Sequence, residues 1–114
     1  MSTEKTKGKL EPSRAFQLGT LVEYAEASTV SRIVAKNSAG NVTLFAFDQG
    51  QSLSEHSTPF DALVQVIDGE VELTIGGEAV LARTGDVVLM PADIPHAVNA
   101  VKRFKMLLTM LRGS

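Results

Sequence analysis

The chain reads as an all-β domain closed into a sandwich or barrel of about nine or ten strands, and three observations carry that reading. From Ala15 onward, short apolar runs recur between turn signals. Within Val71-Glu72-Leu73-Thr74-Ile75 the apolar residues stand two apart, with Glu72 and Thr74 on the opposite face, as in a strand buried on one side. No long segment carries the apolar period of a helix.

Taken in order, residues 1–14 read as a flexible or loosely docked arm, because Glu4, Lys5, Lys7, Lys9 and Glu11 leave it little apolar surface to bury. The other reading is an arm that adds a strand to a partner subunit. Residues 15–114 then form a single barrel domain. Gln17 to Ala27 reads as irregular or strand, although Leu18, Leu21 and Val22 also fit a helical turn. Val30 to Ala35 and Val42 to Phe47 flank a hairpin connection, Lys36-Asn37-Ser38-Ala39-Gly40-Asn41. Ala62 to Ile67 and Glu70 to Ile75 flank Asp68-Gly69, a dipeptide suited to the positive φ angles of a tight turn. Gly76-Gly77 leads into Glu78 through Ala82, followed by Val87 to Met90 and Phe104 to Leu111. In Ala62-Leu63-Val64-Gln65-Val66-Ile67 both faces are largely apolar, as in a strand covered on both sides.

Composition narrows the function classes. A chain of 114 residues has room for one core and not two. A net charge of -2 supplies no field that would draw nucleic acid or an anionic membrane. The absence of cysteine excludes disulfides, thiolate metal ligands and cysteine nucleophiles. No apolar stretch reaches the roughly 18 residues of a membrane span, and the polar N-terminus lacks the apolar region of a signal peptide. A soluble cytoplasmic protein is expected. No Gly-rich phosphate loop and no serine–histidine–acid motif is present; Gly76-Gly77 is a hairpin turn.

The two histidines carry the chemistry. His56 follows Gly50 by six positions and leads through Thr58, Pro59 and Ala62 to Gly69. His96 closes Gly85-Asp86-Val87-Val88-Leu89-Met90-Pro91-Ala92-Asp93-Ile94-Pro95-His96. This spacing resembles the two motifs of the cupin superfamily, G(x)5HxH(x)3,4E(x)6G and G(x)5PxG(x)2H(x)3N. The resemblance spans roughly Arg32 to Leu111, and the gap between the motifs, Glu70 to Thr84, has the compact length of small bacterial members. It implies a double-stranded β-helix, the jelly-roll barrel of small single-domain cupins of the RmlC-like kind. Gly50 and Gly85 then end strands where a Cβ would be strained. Asp93 stands at the second motif's inner glycine and tolerates left-handed geometry. Ala100 stands at the final asparagine, with Asn99 a residue earlier and therefore turned to the other face.

In the family, three histidines and a glutamate converge on a metal inside the barrel. Here Thr58 replaces the second histidine and Ala62 the glutamate, leaving His56 and His96 as the metal candidates with Asp61 as a weak third. By strand parity Asp61 should face outward; its alternative role is to cap the Thr58-Pro59-Phe60-Asp61 turn. Glu55 should face outward for the same reason. Two imidazoles, a hydroxyl and a methyl group fall short of the three protein ligands of a catalytic metal centre. With space opened at 58 and 62, the resemblance implies a ligand pocket formed by His56, Thr58, Ala62, Val64, Met90 and His96, with Phe45, Phe47 and Val66 around it.

Two functions follow. One is a binding or sensing module for a small molecule, with no metal or a weakly held divalent one. The other is a metal-dependent enzyme of the dioxygenase or isomerase kind, using His56, His96 and a nonstandard third ligand with zinc, iron, nickel, manganese or copper. Tyr24, the only tyrosine, leaves the residue pair of sugar epimerases on this fold without a match. A homodimer is also expected, because Val42 to Phe47 and Phe104 to Leu111 are apolar on both faces and a small barrel leaves one of them uncovered.

Overall fold

The structure, a computed structural model, describes residues 9–112. Residues 1–8, most of the expected N-terminal arm, lie outside the described residues. Nine strands follow a short 3-10 helix at Leu18–Thr20: β1 (Thr29–Asn37), β2 (Gly40–Phe47), β3 (Ser52–His56), β4 (Phe60–Asp68), β5 (Glu70–Ile75), β6 (Glu78–Arg83), β7 (Val87–Met90), β8 (His96–Ala100) and β9 (Phe104–Arg112). They form two antiparallel sheets, β1-β2-β9-β4-β7 and β3-β8-β5-β6. From β2 onward the chain changes sheet at every connection except the β5–β6 hairpin, which is the winding of a jelly roll. No described helix is long and apolar enough to cross a membrane.

Side-chain chemistry shapes the turns. The first hairpin is tighter than the sequence suggests: β1 runs on to Asn37 and β2 begins at Gly40. The Asn37 side chain makes the difference, its Oδ1 accepting the Ala39 amide at 2.8 Å and closing the turn locally. Gly76 and Gly77, at φ 57° and 85°, supply the two left-handed residues of the β5–β6 turn. Gly69, at φ 89°, is required twice over, since a Cβ there would stand 2.0 Å from the Arg103 carbonyl oxygen.

The core lies between the sheets. Phe47, Val64, Val71, Leu73, Phe104 and Met106 are all essentially inaccessible to solvent. The Phe47 and Phe104 rings stack with centroids 4.7 Å apart and 14° between planes, an arrangement that adds to their burial.

A second apolar cluster covers the outer face of the five-stranded sheet. Val34, Leu44 and Ala46 are buried there beneath Val22, with Leu10, Leu21 and Tyr24 packed against them. The two-sided apolarity of β2 thus has a cover within the chain, its own N-terminal segment. Polar bonds fasten the segment. The Leu10 amide donates to the Val34 carbonyl at 3.0 Å, and Lys105 Nζ donates to the Gly19 carbonyl at 2.6 Å. The Tyr24 hydroxyl donates to Asp68 Oδ2 at 2.5 Å, beneath the guanidinium of Arg103, which lies 4.4 Å from the ring centroid. Burial and the neighbouring Asp68 carboxylate push the Tyr24 phenol well above its usual range.

Candidate functional site

Three connections, residues 57–59, 76–77 and 91–95, gather at one end of the sandwich, and the two histidines emerge among them. His96 begins β8, where it alternates with Val98 and Ala100 on the buried face. His56 ends β3 and is exposed. Simple alternation would put His56 on the face opposite Leu53, three positions earlier. A bulge prevents this. Leu53 pairs with Val98 and His56 with His96, so three steps along β3 match two along β8. The extra residue turns His56 toward its partner, and the rings meet edge to face with centroids 4.5 Å apart and 70° between planes.

Each ring is set by a carbonyl two residues earlier. His56 Nδ1 lies 2.9 Å from the Ser54 oxygen, and His96 Nδ1 lies 3.3 Å from the Ile94 oxygen. Because a carbonyl only accepts, both Nδ1 atoms are donors, and a neutral ring then carries its lone pair on Nε2. Burial foremost, and then the positive charge of His56, hold the His96 imidazole below its ordinary range, partly opposed by the Ile94 carbonyl.

The loops that deliver the histidines are tied together. The Asp93 amide donates to the Thr58 carbonyl at 2.8 Å, and the Ala92 amide donates to Asp61 Oδ1 at 2.9 Å. Asp93 holds the left-handed φ of 68° expected at the motif's glycine position. A third tie joins the Gly76 amide to the Pro95 carbonyl at 2.8 Å. Asp61 therefore caps the β7–β8 loop rather than its own turn, a correction that follows from its position on β4 opposite that loop.

The remaining expected site residues are placed as follows. The Thr58 hydroxyl accepts from the Phe60 amide at 3.3 Å and donates to the Phe60 carbonyl at 3.2 Å. Ala62, Val64 and Met90 are packed into the core with Phe47 and Val66, with Phe45 against them. All three are buried between the sheets. Among the described residues no three His, Cys, Asp or Glu side chains are grouped to hold a metal ion. With Asp61 and Thr58 engaged by backbone, two imidazoles do not make the donor set of a resident catalytic metal. The carbonyls of Ser54 and Ile94 escaped the sequence reading, since any residue type supplies a carbonyl and only the bulged geometry marks it out.

Comparison with known proteins places this architecture. Residues 43–110 match the family described as the cupin domain. A conserved protein of unknown function from Streptococcus pyogenes is 33% identical over 93% of each chain, with a TM-score of 0.88. A cupin superfamily protein from Desulfitobacterium hafniense is 30% identical, covering 92% of this chain and 96% of its own, with a TM-score of 0.86. A cupin 2 conserved barrel domain protein from Leptotrichia buccalis is 38% identical over 85% of this chain but only 47% of its own, with a TM-score of 0.83. No curated protein matches the chain.

Proposed function

This chain belongs to the cupin family, and we propose that it binds a small molecule at the end of the barrel where His56 and His96 meet. One observation carries the reading: two imidazoles meet edge to face with their Nδ1 atoms occupied by backbone and their Nε2 atoms without a hydrogen-bond partner among the described residues. Loop ties through Asp61, Asp93 and Pro95 hold the pair in place before any ligand arrives, which lowers the cost of ordering it on binding. The donor set supports a binding role over metal-dependent chemistry, since the third and fourth ligand positions are a committed hydroxyl and a methyl group.

A fragment set followed by amide NMR tests the reading. Binding fragments should move the resonances of Leu53, His56, Ile75, Ile94 and His96, and His56→Ala should weaken that response. Fragments that move only the groove between residues 20–25 and 30–32 would place the function elsewhere. The metal-dependent alternative predicts a stoichiometric transition metal in chelator-free protein, lost in both His56→Ala and His96→Ala.

A further inference from the structure

We propose that β7 pairs edge to edge with β7 of a second copy of this chain, antiparallel about a two-fold axis at Val88, joining two five-stranded sheets into one. The two sheets end in four edge strands, β1, β7, β3 and β6. Soluble proteins guard such edges with charge, with a bulge or with a covering segment. β1 carries Arg32 and Lys36, a bulge between Ile33 and Ala35, and the Leu10 amide on its Val34 carbonyl. β3 carries Glu55 and the bulge that turns His56. β6 carries Glu78 and Arg83 at its two ends. β7 is Val87-Val88-Leu89-Met90, without a charge and in unbroken register with β4. Among the described strands it is the one unguarded edge.

The hydrogen-bond pattern sets the partner and the register. The Val66 amide donates to the Asp86 carbonyl at 2.9 Å. Bonded pairs recur at every second residue of an antiparallel ladder, so Val64 with Val88 and Ala62 with Met90 exchange the next bonds. The amides and carbonyls of Val87 and Leu89 therefore point away from β4, toward the open edge. Two residues so placed are self-complementary. With Val87 opposite the partner's Leu89, and Leu89 opposite the partner's Val87, each exchanges both of its bonds, and Val88 meets its own copy as a non-hydrogen-bonded pair. Asp86, the nearest charge, then faces Met90 of the other copy, so no like charges meet. Pro91 has no amide and ends the ladder. Since Val88 and Met90 belong to the inter-sheet core, Val87 and Leu89 lie on the outer face, 58% and 56% exposed. The pairing gathers them with their copies into one apolar stripe beside Leu63, the β4 neighbour of Leu89. Burial of that stripe supplements a ladder of only four residues.

Amide hydrogen exchange of the full chain over a range of protein concentrations tests the proposal. Val87 and Leu89 should slow as concentration rises, by about ten-fold when roughly one chain in ten is monomeric. The Val88 amide, bonded to β4, should be slow throughout. Cross-linking checks the register in a chain that has no cysteine of its own. With oxidised glutathione, Val88→Cys should form a covalent dimer, because non-hydrogen-bonded partners stand about 4.5 Å apart at Cα. Leu89→Cys faces Val87 of the other copy and should not. Exchange at Val87 and Leu89 that ignores concentration would overturn the pairing, and so would equal cross-linking of the two variants. A chain that stays monomeric while a soluble apolar strand peptide slows these amides would give the edge to a foreign strand and remove the second copy as its occupant.

Discussion

The rings of His56 and His96 stand edge to face, 4.5 Å between centroids, on paired residues of adjacent antiparallel strands. One is exposed and the other nearly buried. The asymmetry matters because it makes protonation of His96 costly while leaving a solvent route to the pair.

That cost appears as a pH dependence. The folded chain holds the His96 imidazole below its ordinary range, through burial first and the charge of His56 second. The unfolded chain therefore binds more protons in the acid window, so this contribution to stability is complete above about pH 6.5 and is lost as pH falls through the folded value. Thermal melting between pH 7 and 5 should show a falling midpoint. In His96→Leu the slope should flatten; an unchanged slope would assign the effect to other groups.

Removing the Asp61 carboxylate should loosen the site from a distance. Asp61→Ala leaves the Ala92 amide without its acceptor and should cost about 1–3 kcal/mol. Denaturant midpoints measure the loss, and hydrogen exchange at Ala92 and Asp93 should accelerate. Asp61→Asn keeps a carbonyl acceptor and should recover most of both. Unaltered exchange at Ala92 in the alanine variant would mean the tie does not hold the loop.

The N-terminal cover should depend on Tyr24. Tyr24→Phe keeps the ring beneath Arg103 and deletes the bond to Asp68, which should cost about 1–2 kcal/mol. The expected signature is faster exchange at the Leu10 amide, with little change in the inter-sheet core. Equal acceleration throughout would show that cover and barrel unfold as one unit.

Two glycines with similar angles should respond differently to alanine. Gly50 and Gly69 have φ of 85° and 89°, but only at Gly69 would a Cβ strike backbone. Gly50→Ala should cost about 1 kcal/mol and Gly69→Ala about 3 kcal/mol. Equal losses in chemical denaturation would show that the Arg103 carbonyl moves aside freely.

The expected homodimer has a narrower basis than the sequence suggested. With β2 covered by residues 10–24, the uncovered apolar residues of the five-stranded sheet's outer face are chiefly Val87, Leu89 and Leu111, each more than half exposed. Light scattering should give twice the 12.2 kDa chain mass, falling to one chain in a Val87→Asp, Leu89→Asp double variant. A monomeric parent chain would remove the expectation.

By itself the sequence determined the class of fold, the Gly76-Gly77 turn and the identity of the two histidines. These are local matters: alternation in Val71–Ile75, the glycine pair at 76–77 and the spacing that ends in His96 each follow from the conformational preferences of a few neighbouring residues. Three things only the tertiary structure decided. Which segment covers the outer face of β2 depends on contacts far apart in sequence, as between Val22 and Leu44. Whether Ala62, Val64 and Met90 are buried depends on what the opposite sheet puts against them, and all three lie in the core. Finally, His56 meets His96 because of a bulge in β3, and a bulge is a matter of register between two strands that neither strand's residues spell out alone.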